Sequence, residues 1–203
     1  MTTRDGPPME MGQARVFATA EDFDRWLTEH HETATEIWVA LPKKGTDAVS
    51  VTRAEVLDIV LCHGWIDGRA ESKGTPDGWW SLRHTPRRRR SPWSKVNRTR
   101  AEELVREGRM LPAGLAEIER ARADGRWAAA YDPPSTARVP DDLRAALDAD
   151  PAAAAAFEAL SRADSYGVLH DLMLVRRPET RERRIATFVA RLAAGEPPKG
   201  RRS

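Results

Sequence analysis

Residues 65–84 read WIDGRAESKGTPDGWWSLRH, and this stretch decides the fold. Trp65 to Ser72 and Trp79 to His84 flank Gly74-Thr75-Pro76-Asp77-Gly78, whose glycines allow positive φ and whose proline presets a turn. Those residue types suit a turn better than either periodic element, so the stretch is predicted to be a β-hairpin. Trp79 and Trp80 are adjacent; on a regular strand they point to opposite faces, and one layer cannot bury both.

Upstream, Thr19 can cap a helix whose Phe23, Trp26 and Leu27 share a face and which should end near His30-His31. Glu36 to Leu41 is strand-forming and closes on the turn residues Pro42-Lys43-Lys44-Gly45. Thr52 and Glu55 have capping-box spacing, and Gly64 offers the left-handed stop after His63. The helix between them is apolar nearly all round and should be buried.

Downstream, Ser91-Pro92 predicts the start of a polar helix that Gly108 ends, and a further helix runs from Pro112 to Asp124. The last third follows the same grammar. Pro140 and Asp150-Pro151 each open a short helix, Tyr166 to Val175 makes another, and Pro178 begins one with a stripe of Ile185, Phe188, Val189 and Leu192. The predicted class is α+β: a small antiparallel sheet flanked by helices, followed by an all-helical C-terminal subdomain.

All seven tryptophans lie before Tyr131, and an Ala-rich helical pattern follows the Asp132-Pro133-Pro134-Ser135 break. The domains are therefore expected at 15–131 and 132–195, with residues 1–14 and 196–203, rich in Gly, Pro and charge, as tails. At 203 residues and 40% hydrophobic content the chain can build a core. A formal charge of +2, from 33 basic and 31 acidic side chains, excludes a uniform polyelectrolyte coat for nucleic acid or lipid. The lone Cys62 sits in an apolar run, so no internal disulfide or cysteine-based zinc cluster is expected, and a reducing cytoplasm is the simplest compartment. Neither a secretory signal nor a membrane span is expected, since no segment approaches the roughly 20 apolar residues a span needs.

Charge is instead concentrated. From Arg69 to Arg100 there are ten Lys or Arg residues against Glu71 and Asp77. Four consecutive arginines, Arg87 to Arg90, exceed the local acids, and the planar guanidinium fork suits phosphate or carboxylate. The competing reading is a solvated basic loop, or arginines lying over neighbouring indoles.

The string Cys62-His63-Gly64-Trp65-Ile66-Asp67-Gly68, then Thr85-Pro86-Arg87 leading to Ser91-Pro92-Trp93-Ser94-Lys95-Val96-Asn97, resembles the YdeI/OmpD-associated (bacteriocin-protection) family. Gly108-Arg109-Met110, Asp124-Gly125-Arg126-Trp127, Tyr131 to Ser135 and the stretch from Val139 to Gly195 are similar to family segments in the same order. The resemblance runs from about Arg15 to Gly195 and implies a link to bacteriocin or antimicrobial-peptide tolerance. It implies no agreed reaction, cofactor or catalytic set. The Arg87 to Arg90 run is denser in arginine than the family pattern.

The leading functional expectation is a non-enzymatic cytoplasmic stress or antimicrobial-resistance protein. It would bind an anionic or aromatic molecule in a cleft walled by Trp65, Asp67, Arg83, Arg87, Trp93, Ser94 and Asn97. Asp67, on the strand side shared with Trp65, would pair with Arg83 or Arg87, as ligand acceptor or as a lock on the hairpin. A second reading is nucleic-acid binding by Arg87, Arg88, Arg89, Arg90, Lys95, Arg98 and Arg100. A third is an enzyme using Asp67 with His63 or His84, and a fourth a partner-binding adaptor with an exposed stripe of Leu169, Leu172 and Met173. No metal-binding motif or phosphate loop is present, and no cofactor is expected.

Overall fold

The computed structural model describes residues 10–11, 14–72 and 75–198. Within them the class is α+β, with five strands and eight helices. In chain order these are β1 (Glu10–Met11), β2 (Ala14–Arg15), α1 (Ala20–His30), β3 (Ile37–Pro42), α2 (Arg53–Cys62), β4 (Trp65–Glu71), β5 (Trp79–Pro86), α3 (Lys95–Arg106), α4 (Pro112–Ala123), α5 (Asp141–Asp148), α6 (Pro151–Glu158), α7 (Arg162–Met173) and α8 (Pro178–Ala193). The tails read at 1–14 and 196–203 lie mostly outside the described residues; of the first, residues 10, 11 and 14 are in strands. The chain forms two units. One holds the residues up to Ser91 together with Asn97–Ala128; the other holds Pro92–Val96 and the residues from Ala129 onward.

In the first unit the strand order is β1-β2-β3-β5-β4. β4 and β5 pair antiparallel as predicted, although Gly74 of the predicted turn lies outside the described residues, and β3 pairs antiparallel to β5. The sheet is not wholly antiparallel, however: β2 runs parallel to β3. The cause is α1, which carries the chain back over the sheet between them, and such a crossover is what a parallel pair requires.

The caps behave as the residue types dictate. Thr19 accepts from the Asp22 amide, and Thr52 and Glu55 complete the reciprocal capping box of α2. Gly64 adopts φ +73 after α2, and a Cβ there would also stand 2.9 Å from the Ala113 carbonyl oxygen. At Gly114 in α4 a Cβ would come within 2.6 Å of the Leu61 and Cys62 carbonyls. The absent side chain is what lets α4 pack on the end of α2.

One sheet face and the helices α1 and α2 bury Phe23, Leu27, Ile37, Val39, Leu41, Val56, Val60, Trp65 and Leu82 together. Burial of each large apolar side chain contributes roughly 1.5–3 kcal/mol before entropy is counted. Trp80 packs on this core, while Trp79 packs with Trp38 against the cluster of Ala14, Val16 and Ala40. The adjacent indoles thus serve separate clusters, as strand alternation demands.

The predicted start of α3 needs correction. The helix begins at Lys95, not at Ser91-Pro92, and the Ser91 hydroxyl accepts from the Arg88 amide in a preceding turn. The residues between are extended because they pair elsewhere. Tyr131 donates its amide to the Trp93 carbonyl at 2.9 Å, and Lys95 donates to the Tyr131 carbonyl at 2.8 Å.

The second unit is helical. α5 to α8 bury Leu143, Leu147, Ala153, Val168, Leu169, Leu172, Ile185, Phe188 and Leu192. Pro140 immediately precedes α5 without a side-chain cap and Asp150 caps α6, while α7 starts earlier than Tyr166 because Ser161 caps it on the Asp164 amide. The adaptor reading fails here. Leu172 is fully buried and Leu169 nearly so, with Met173 packed beside them, so they are core rather than an exposed stripe.

Candidate functional site

A polar row crosses the sheet of the first unit. Ile37 of β3 stands opposite His84 of β5, which stands opposite Asp67 of β4. Directly opposed residues share a face, so Asp67 and His84 lie on the helix-covered side with Trp65. Asp67 accepts a hydrogen bond from the Asn97 side-chain amide of α3 at 3.2 Å. Asp67 and Asn97, two of the residues singled out from the sequence, are therefore in contact.

His84 is 1% exposed and packs near Phe23, with ring centroids 6.3 Å apart. Burial pushes its pKa down to about 4, against the opposing pull of Asp67. Neither ring nitrogen has a hydrogen-bond partner among the described residues. His63, the other histidine considered, points elsewhere and meets Asp24 of α1 at 2.8 Å. The Asp67–histidine enzyme reading required hydrogen-bonded convergence, and neither histidine makes that bond. Cys62 is buried, and burial raises its thiol to about 11, which keeps it from the reactive thiolate form.

The basic residues are largely committed to structure. Arg83 does not pair with Asp67, because it follows the alternation onto the opposite face; its Nε donates to Glu36 at 2.9 Å and holds that carboxyl below the usual range. Arg87 is buried, with its amide donating to the Gly64 carbonyl. Arg100 grips both carboxylate oxygens of Asp58 at 2.6 and 2.7 Å and also reaches Glu103 and Glu107. Arg98 donates to the Trp127 carbonyl. Of the proposed nucleic-acid footprint, Arg88, Arg89 and Arg90 remain exposed and without an ion pair among the described residues. Sequence reasoning passed over the role of Arg126, a buried guanidinium fixed by Asp124 and the Ser91 carbonyl.

The indoles do not wall a solvent-open cleft. Trp65 is 1% exposed, inside the first unit's core, with Nε1 donating to the His31 carbonyl. Trp93 is 2% exposed and, with Ser94 and Lys95, belongs to the second unit. The seven residues read as one cleft are thus divided between the two units.

The second unit has a cleft of its own. About 400 Å³ in volume, it is lined by Lys95, Asp132, Thr136, Arg138, Pro140, Leu169, Leu172, Met173 and Arg181. Its size falls in the range of small-molecule sites. The backbone pairing of Trp93 and Lys95 with Tyr131 delivers Lys95 to the rim, where its ammonium meets Asp132 at 2.7 Å. The Tyr166 hydroxyl donates to the Asp132 carbonyl at 2.9 Å, and His170 stands edge-on to Tyr131 at 4.6 Å, so this wall is braced from behind. Arg181 is bound to both oxygens of Asp142 and donates to the Leu172 carbonyl at 2.8 Å. Arg138 is exposed and makes no ion pair among the described residues. A neighbouring cleft of about 320 Å³ has Asp148 and Glu158 against Arg144 and so favours no anion.

These features define a two-unit α+β protein whose helical part carries a cation-rimmed cleft. Residues 15–117 match the family model of a domain of unknown function (DUF8412), and residues 136–195 match the model described as Bacteriocin-protection, YdeI or OmpD-Associated. The chain belongs to the first family over half its length, and its C-terminal module belongs to the YdeI/OmpD-associated family named from the sequence. The Cys62 to Asn97 segments that carried part of the resemblance fall within the first match, and most of the cleft falls within the second. No curated protein and no solved structure matches the chain. Among the described residues no helix is long and apolar enough to cross a membrane.

Proposed function

We propose that the protein binds a small anionic molecule with an apolar or aromatic portion in the cleft of its second unit, as a non-enzymatic protective protein of the cytoplasm. One observation carries this reading: the exposed Arg138, without an ion pair among the described residues, lines a cleft of ligand size together with the half-buried apolar side chains of Pro140 and Met173. A few polar groups among apolar side chains are the usual composition of such sites. The family description, bacteriocin protection, supports a protective role, and the single buried, reduced cysteine supports a reducing compartment. Trp93 and Ser94 enter as residues that position Lys95, not as ligand contacts. A nucleic-acid footprint would have to rest on Arg88, Arg89 and Arg90, too few phosphate contacts for the steep salt dependence of a dedicated binder.

Amide chemical-shift mapping of the full chain against a panel of small aromatic and aliphatic anions tests this. Shifts clustered on Lys95, Thr136, Arg138 and Met173 are the expected result. Shifts confined to β4 and β5, or none at all, reject it.

A further inference from the structure

We infer that the cleft selects a monoanion with an apolar tail, an amphipathic carboxylate, over polyphosphates such as nucleotides. The inference rests on the anion-binding reading above and narrows it. Lys95, Arg138 and Arg181 face Asp132 within the lining, and Asp142 holds Arg181 from outside it. Two of the three cations are thus neutralised in place, leaving one positive charge in excess. A ligand with one negative charge balances that excess. A di- or triphosphate brings further charges that the lining cannot match, close to the carboxylates of Asp132 and Asp142, and uncompensated charge in a partly desolvated cleft is unfavourable.

The donors agree with the charge. Arg181 has Nε and Nη2 on Asp142 and Nη1 on Leu172, so its fork is occupied. Arg138 offers a planar fork matched to a carboxylate's two oxygens. The Lys95 ammonium has three donors and gives one to Asp132, which leaves it able to share a second acceptor. The apolar part of the lining that is not sealed in the core, Pro140 and Met173, carries no charge to hold a second phosphate but suits an aryl or alkyl tail.

Calorimetric titration of the full chain with 4-phenylbutyrate, 4-phenylbutanol, pyrophosphate and ATP, repeated on Arg138→Gln, decides the matter. The carboxylate binds, while the alcohol, and the carboxylate on Arg138→Gln, each bind about 10-fold or more weakly, the loss expected for a charge-assisted hydrogen bond; both phosphates bind less tightly than the carboxylate. Equal binding of alcohol and carboxylate overturns the inference. Tighter binding of pyrophosphate or ATP that Arg138→Gln weakens also overturns it, while leaving an anion site in the cleft. If no anion binds, or if Arg138→Gln changes nothing, the inference and the reading beneath it both fall.

Discussion

Both units hold some cations on carboxylates and leave others exposed, but only in the second does an exposed one line the cleft described above. In the first, Arg83, Arg100 and Arg126 are each fixed by a carboxylate, and His84 and Arg87 are nearly inaccessible. In the second, Lys95 and Arg181 are also held, but Arg138 is left in the lining of a hollow with Pro140 and Met173. The dense Arg87 to Arg90 run is itself divided: Arg87 is buried, while Arg88, Arg89 and Arg90 stay exposed and without an ion pair among the described residues. Arginine density reports how many guanidiniums exist; availability depends on which acids the fold brings to them.

The strongest way to break this contrast is Trp65→Ala. A core indole predicts a loss of about 3–5 kcal/mol in denaturant unfolding, whereas a cleft wall predicts less than about 1 kcal/mol; the smaller value would return Trp65 to the ligand hypothesis. Next comes pH. His84 has a folded pKa of about 4, below its unfolded value of 6.5, so the unfolded chain takes up the proton first as pH falls. Its contribution is complete above pH 6.5 and is lost progressively towards pH 4, by about 3 kcal/mol for the whole shift. Urea melts at pH 7 and pH 4.5 on the wild type and on His84→Leu should show a smaller pH effect in the variant; identical slopes refute the assignment.

A smaller effect separates fixed from available cations within the first unit. Asp58→Asn removes the shared acceptor of Arg100 and Arg109 and should lower stability by about 1–2 kcal/mol, since the pair is only partly exposed. A neutral result at moderate salt would make that network ornamental. The smallest effect is expected at Arg138→Gln, within about 0.5 kcal/mol of wild type by thermal unfolding, as for a surface residue outside any bonded network. A larger loss would mean that Arg138 is a structural cation like the others.

The sequence was most legible where structure is local. The cap at Thr19, the Thr52–Glu55 box, the Asp150-Pro151 and Pro178 starts and the β4–β5 pairing each depend on side chains within a few residues, and each stands where it was read. The Ser161–Asp164 cap was equally visible but was passed over, which delayed the predicted start of α7. Long-range pairing was illegible. Nothing near Ser91-Pro92 announces that Trp93 and Lys95 will bond Tyr131, and that bond is what postpones α3. At the site, strand alternation placed Asp67 beside Trp65 correctly, and applied one residue further it would have turned Arg83 away from Asp67 and towards Trp38. The cleft drew no attention, because Lys95, Asp132, Arg138 and Arg181 share no period and meet only in three dimensions.

The path of the backbone has a final consequence. The polypeptide passes from the first unit to the second at Ser91, comes back after Val96, and passes over again beyond Ala128. The stretch that family comparison marks off, residues 136–195, holds the helices but neither Lys95 nor Asp132. A gene fragment of that length, moved to another host protein, would keep the scaffold and leave behind part of the rim. Under the proposal above, another protein that carries residues equivalent to 136–195 shares this ligand only if it also supplies a lysine and an aspartate in the places of Lys95 and Asp132.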